Sequence, residues 1–84
     1  MLVQSLQPTI VQHESFLSVI AEGAGKLIIK VLDVQGRIAK TFNTRIDAGS
    51  QQFPIDMQDL PTGNYVLNAF HGDAFLKSIR FVKQ

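Results

Sequence analysis

Apolar residues in this chain recur mostly at every second position and rarely at helical spacing, so the elements they predict are short strands. Leu2 to Leu6 is a first strand, ended by Gln7-Pro8. Phe16-Leu17-Ser18-Val19-Ile20 is a second, closed by the small-residue stretch Glu22-Gly23-Ala24-Gly25. Leu27-Ile28-Ile29-Lys30-Val31-Leu32 is nearly continuous in apolar character, which predicts a central strand covered on much of both faces.

Asp33-Val34-Gln35-Gly36-Arg37 then reads as a turn. The Asp33 side chain can accept a backbone N–H two residues on, and Gly36 can take the positive φ that closes a bulged hairpin. The return strand, Ile38 to Phe42, puts Ile38 and Phe42 on one face with Lys40 between them, as suits a strand near an edge. Thr44 to Gly49 reads as a crossover. Gln52 to Asp56 follows with Phe53 and Ile55 on one face, and Pro54 confines that strand to an edge or a bulge.

Asp56 to Leu60 can form one short helical turn, the only helical signal in the chain. Tyr65 to Phe70 and Ala74 to Val82 make a terminal hairpin about His71-Gly72-Asp73. In its last strand Phe75, Ile79 and Phe81 share a parity with Lys77 between them, and Leu76 and Val82 share the other with Ser78 and Arg80. About seven short strands at this spacing predict an all-β fold, an immunoglobulin-like antiparallel β-sandwich.

Composition adds limits. The 84 residues, 45% hydrophobic and 18% charged, suffice for one ordered domain, spanning 1–84 with its core at about residues 7–84. A formal charge of +1, with Lys and Arg scattered along the sequence, predicts no nucleic-acid partner. No cysteine is present, which excludes disulfides, thiolate metal sites and a cysteine nucleophile. No apolar run is long enough to cross a bilayer, and Met1 to Gln7 carry no basic segment followed by an apolar one, so direct membrane insertion is not expected.

The most informative local pattern is Leu60-Pro61-Thr62-Gly63-Asn64-Tyr65 at a strand start. It fits a tyrosine corner: Pro61 fixes the approach, Gly63 takes a tight backbone conformation, and the Tyr65 hydroxyl bonds back to an upstream backbone group. Leu60-Pro61-Thr62-Gly63 is one residue short of a Gram-positive sortase site and lacks the downstream apolar span and basic tail.

His13 and His71 lie far apart, and no nucleophile, base and orienting group are legible together. Asp33, Asp56, Asp59 and Asp73 lack the dense acidic ladder of a calcium loop and read as turn residues. No cofactor is expected. The six phenylalanines read as core, because a sugar-stacking face would more often use Trp and Tyr, and the chain has no Trp and one Tyr.

Three blocks in order, Val31 to Arg37, Leu60 to Leu67 and Phe75 to Gln84, resemble the type A C-terminal sorting domain of type IX (Por) secretion cargo in Bacteroidetes-type bacteria. In that family a strand ends in an Asp-x-x-Gly-Lys/Arg hairpin, a Leu-x-x-Gly-x-Tyr block opens a later strand, and a Lys-bearing strand closes the chain. The resemblance covers about Gln7 to Gln84. It departs at the start, where family members often have Pro-Asn-Pro and this chain has Gln7-Pro8-Thr9-Ile10.

By motif position the resemblance assigns sorting-motif roles to Asp33, Gly36, Arg37, Leu60, Pro61, Gly63, Tyr65, Lys77 and Lys83. It implies a non-catalytic signal at the end of a larger protein, with an N-terminal cargo domain in the same chain. The implied partners are the type IX translocon and a sortase-like cell-surface protease. The route leads through the periplasm and across the outer membrane to secretion or to attachment at the surface on anionic lipopolysaccharide. The expected mode of recognition is presentation of the edge and basic termini of the last hairpin. The competing expectation is a generic adhesive or carbohydrate-binding module of a surface protein.

Overall fold

A computed structural model describes residues 1–84 and contains strands and turns without helix. The strands are β1 (Leu2–Gln7), β2 (Ile10–Val11), β3 (Glu14–Ala21), β4 (Gly25–Leu32), β5 (Ile38–Ile46), β6 (Gly49–Asp56), β7 (Gly63–His71) and β8 (Ala74–Lys83). They form two sheets, one of three strands in the order β1-β3-β6 and one of five in the order β2-β8-β7-β4-β5. Pairing β4 with β7 across intervening sequence is the crossover of an immunoglobulin-like sandwich.

The sheets meet through one alternating face of each. Leu17 and Val19 of β3 oppose Leu27, Ile29 and Val31 of β4 and Leu67 of β7, all essentially without exposure. Val3 and Leu6 of β1 also belong to this core. Pairing is antiparallel throughout except between β2 and β8, which run parallel at Ile10↔Val82 and Val11↔Lys83.

Several expectations are corrected. There are eight strands, because a two-residue strand follows Pro8: Val11 is wholly buried, and the carbonyls of Thr9 and Val11 accept from the end of β8, from Val82 N–H and Gln84 N–H respectively. So short a segment carries no periodicity to read. The crossover is shorter than expected. β5 keeps pairing with β4 to Ile46, which is buried, and only Asp47 and Ala48 connect the sheets. The Gln51 side chain clamps that connection, accepting from Asp47 N–H at 3.0 Å and donating to Asp47 O.

Asp56 to Leu60 forms turns rather than a helical turn, with Gln58 N–H on the Asp56 carboxylate at 3.0 Å and Leu60 N–H on Met57 O at 3.1 Å. β4 is central in its sheet, but only Leu27, Ile29 and Val31 face the core, while Ile28, Lys30 and Leu32 lie half-buried on the outer face. β6 is an edge strand, as Pro54 demands.

Two bulges break the simple parity. An extra residue at Ala39 pairs Val31 with Lys40 but Leu32 with Ile38, so Ile38 joins the outer face, 57% exposed, while Phe42 packs on the core. An extra residue at Leu76 pairs Ala69 with Lys77 but Phe70 with Phe75. Leu76 therefore packs against the core, and Phe75 is turned outward, 58% exposed.

The phenylalanines consequently do not form one core set. Phe81 is buried and Phe42 and Phe53 pack against the core, but Phe16 and Phe75 are exposed and Phe70 lies on the outer face against Phe75.

Candidate functional site

β4, β7 and β8 have ends in common, and register brings the conspicuous sequence blocks to one pole of the sandwich. Leu32 at the end of β4 pairs with Val66 near the start of β7, and Gly63 pairs with Lys83 at the end of β8. The Asp33 turn, the Leu60–Tyr65 corner and the chain's last residues therefore meet at this pole. Met1 lies at the other, where a Cβ on Gly25 would come within 3.3 Å of its side chain and 2.7 Å of the His71 ring. Eight residues of β4 separate the two ends, about 26 Å of extended chain.

The corner forms as its sequence predicts. Tyr65 is buried and its hydroxyl donates to Pro61 O at 2.5 Å, while its ring stacks on Phe81 at 5.4 Å between centroids. Burial raises the Tyr65 pKa, and the negative charge of Asp33 adds to the effect. Leu60 is buried beneath. Gly63 has φ 159°, closer to extended backbone than to the tight conformation expected of it.

Asp33 organises its turn through one carboxylate. Oδ1 accepts from Gln35 N–H at 2.9 Å and Arg37 N–H at 3.0 Å, and Oδ2 accepts from Arg37 Nε at 3.0 Å. These bonds, that from the Arg37 backbone N–H foremost, hold the carboxyl below its ordinary pKa. Gly36 has φ 80°, which a side chain would strain, and nothing crowds the space where a Cβ would sit.

Lys83 occupies a different position from the one expected. It is buried, 6% exposed, with its ammonium donating to Leu60 O at 2.8 Å, so it is a clamp on the corner and not a charge presented to a partner. The inward parity of β8 at Phe81 and Lys83 turns it into the sandwich. Lys77 is exposed but pairs with Ala69, about 20 Å along β8 from Lys83, and so lies outside the polar cluster.

An open groove of about 520 Å³ runs across this pole, lined by Ile10, Asp33, Val34, Tyr65, Arg80 and Val82 among others. Arg80 and Ile10 were not singled out by motif, although the alternation of β8 places Arg80 opposite Phe81. A second clamp was also missed: Lys40 donates to Asp59, lowering the Asp59 pKa through that hydrogen bond. Its one sequence signal is a lysine between Ile38 and Phe42. Ser15, wholly buried, donates to Pro8 O at 2.6 Å and fixes the chain between the sheets.

His13 and His71 sit at opposite poles, and no three His, Cys, Asp or Glu side chains gather where they could hold a metal ion. Phe70 and Phe75 meet at 67°, so they offer no coplanar platform for a sugar ring.

A family model described as a secretion system C-terminal sorting domain matches residues 13–84. The matched span runs from just before β3 through β8 and contains all three sequence blocks. No curated protein matches the chain.

Proposed function

The chain belongs to the family of secretion system C-terminal sorting domains, a type IX secretion signal, and from that premise we propose how the signal is displayed. The folded pole formed by the Asp33 turn, the Tyr65 corner and the end of β8 is the surface that the translocon reads. Asp33, Gly36, Leu60, Pro61, Gly63, Tyr65 and Lys83 shape that pole, and Arg37, with its side chain 73% exposed, supplies a polar contact. Lys77 contributes separately, from the hairpin end of β8.

The observation that supports this reading is the convergence of three separate sequence blocks at one pole, through Tyr65 on Pro61 and Lys83 on Leu60. Cargo preceding Met1 would leave from the opposite pole and would not cover that surface. The domain acts as signal and substrate without catalysis. After transit across the outer membrane, a sortase-like surface protease removes it and the cargo is secreted or joined to anionic lipopolysaccharide.

The test is export of a fluorescent protein fused ahead of the domain in a type IX-competent host. The full domain is expected to carry the reporter to the surface or medium, and deletion of Phe75 to Gln84 to leave it in the periplasm. Because deletion also unfolds the sandwich, the exposed changes Val34→Asp and Arg37→Glu are read beside it and are expected to reduce export of a folded domain. Normal secretion of the deletion would refute the proposal.

A further inference from the structure

Basic side chains collect on the strands of one sheet to a degree that the sequence order hides, while five of the seven acidic ones lie in turns and loops, Asp33 and Asp73 in hairpin turns of that same sheet. Of the eight Lys and Arg residues, all but Arg37 lie on strands of the five-stranded sheet, and none of the seven Asp and Glu residues does. Lys40 and Lys83 are tied down by Asp59 and by Leu60 O. Alternation puts Lys26, Lys30, Arg45 and Arg80 on the outer face, and the molecule's two ion pairs, Arg37–Asp33 and Lys40–Asp59, involve none of them.

Lys26 and Arg45 stand directly opposite each other in the β4–β5 ladder. Like charges so placed weaken a sheet, so this pair does not serve the stability of the isolated fold. Two positions further along the same face of β4, beyond Ile28, the Lys30 ammonium lies 5.3 Å from the centroid of the Phe70 ring.

The same face also carries exposed apolar side chains, interspersed with Thr41, Asn43, Asn64, Asn68 and Ser78. Five of the eight large hydrophobic side chains that are exposed belong to it or its rim: Ile10, Val34, Ile38, Phe75 and Val82. The other three, Leu2, Phe16 and Ile20, are on the three-stranded sheet. The four long strands, roughly 4.8 Å apart and about 26 Å long, give a face near 500 Å² to which the two-residue β2 adds little, and the rim brings it towards one side of a standard protein interface.

We propose that the outer face of the five-stranded sheet docks an acidic protein surface. Carboxylates of the partner meet Lys26 with Arg45, Lys30 and Arg80, and its apolar side chains cover Phe75, Val82 and Ile10. A polyanion such as a nucleic acid or an anionic polysaccharide would answer the charges but would leave those apolar groups in water. A protein answers both. The assignment stands on the charge and exposure of this face, and it goes beyond the sorting reading, which it does not require.

The test is amide NMR titration of the 84-residue chain with a synthetic peptide that alternates Asp or Glu with Leu or Phe. Heparin, a single-stranded oligonucleotide and phosphatidylglycerol-containing vesicles are titrated in parallel. The peptide is expected to give saturable shifts centred on Ile28, Lys30, Phe70 and Arg80. Arg45→Glu with Arg80→Glu should weaken binding at least tenfold, while Phe16→Ser on the other sheet should not.

Arg45→Glu alone should raise thermal stability, since it gives Lys26 an opposed partner, and still weaken binding. If the double variant does not fold, Arg45→Gln with Arg80→Gln is read in its place. Absence of peptide shifts, shifts indifferent to charge reversal, or tighter binding of heparin, oligonucleotide or vesicles through the same residues would each overturn the proposal. The readout involves no secretion, so its failure and a failure of the sorting reading are separately visible.

Discussion

The Lys83 ammonium donates to the Leu60 carbonyl over 2.8 Å within the sandwich, joining the last strand to the corner that opens β7. The contact satisfies a buried carbonyl with a charged donor whose alkyl stem packs inside the fold. Lys83→Met keeps the stem and removes the donor. It is expected to cost about 1.5–3 kcal/mol, read as a lower urea midpoint with unchanged slope. An unchanged midpoint would mean that water serves Leu60 as well as Lys83 does.

Tyr65→Phe should separate the hydroxyl from the ring. The stack on Phe81 survives and Pro61 O loses its donor, at an expected cost of about 1–2 kcal/mol in chemical denaturation. Because burial raises the Tyr65 pKa above 10.0, the folded state favours the neutral phenol. That stabilisation is fully present below the unfolded value and is lost as pH rises through the raised folded one. The chain has one Tyr and no Trp, so phenolate absorbance follows this residue alone. Titration at or below the ordinary value would contradict the buried corner.

The Asp33 turn should respond to acid with the opposite sign. Its carboxyl is held below 3.8, so the ionised form is favoured in the folded state. The contribution is complete above that ordinary value and disappears as pH falls through the depressed one. The amide signals of Gln35 and Arg37, which donate to Oδ1, are expected to titrate together with the Asp33 carboxyl carbon. Asp33→Asn should abolish that shared transition, and its persistence would assign it to another group.

The bulge at Leu76 predicts an order of mutational costs that simple alternation does not. Phe75 and Phe81 share a parity in sequence, yet one is 58% exposed and the other 2%. Phe81→Ala is expected to cost about 3–5 kcal/mol, and Phe75→Ala no more than about 1 kcal/mol. Comparable thermal shifts for the two would show that β8 runs without the bulge.

The candidate site was readable where chemistry is local. Asp33 with Gly36 specifies a turn through a side-chain acceptor and a positive φ, and Leu60 to Tyr65 specifies a corner through one hydroxyl and a nearby carbonyl. Both involve neighbours within a few residues, so short sequence windows contain the partners. Lys83 on Leu60 and Lys40 on Asp59 span 23 and 19 residues, and no local pattern names such pairs.

By itself, then, the sequence determined that this chain is built of strands, where most of them lie, and which residues make its turn and its corner. Those properties follow from alternation and from contacts within a few residues. Only the tertiary structure decided that Lys83 points inward, that Ile38 and Phe75 point outward, and that cations scattered along the chain gather on one face. Each depends on bulges and on register between distant strands, and a one-residue change in register reverses the face of every side chain beyond it.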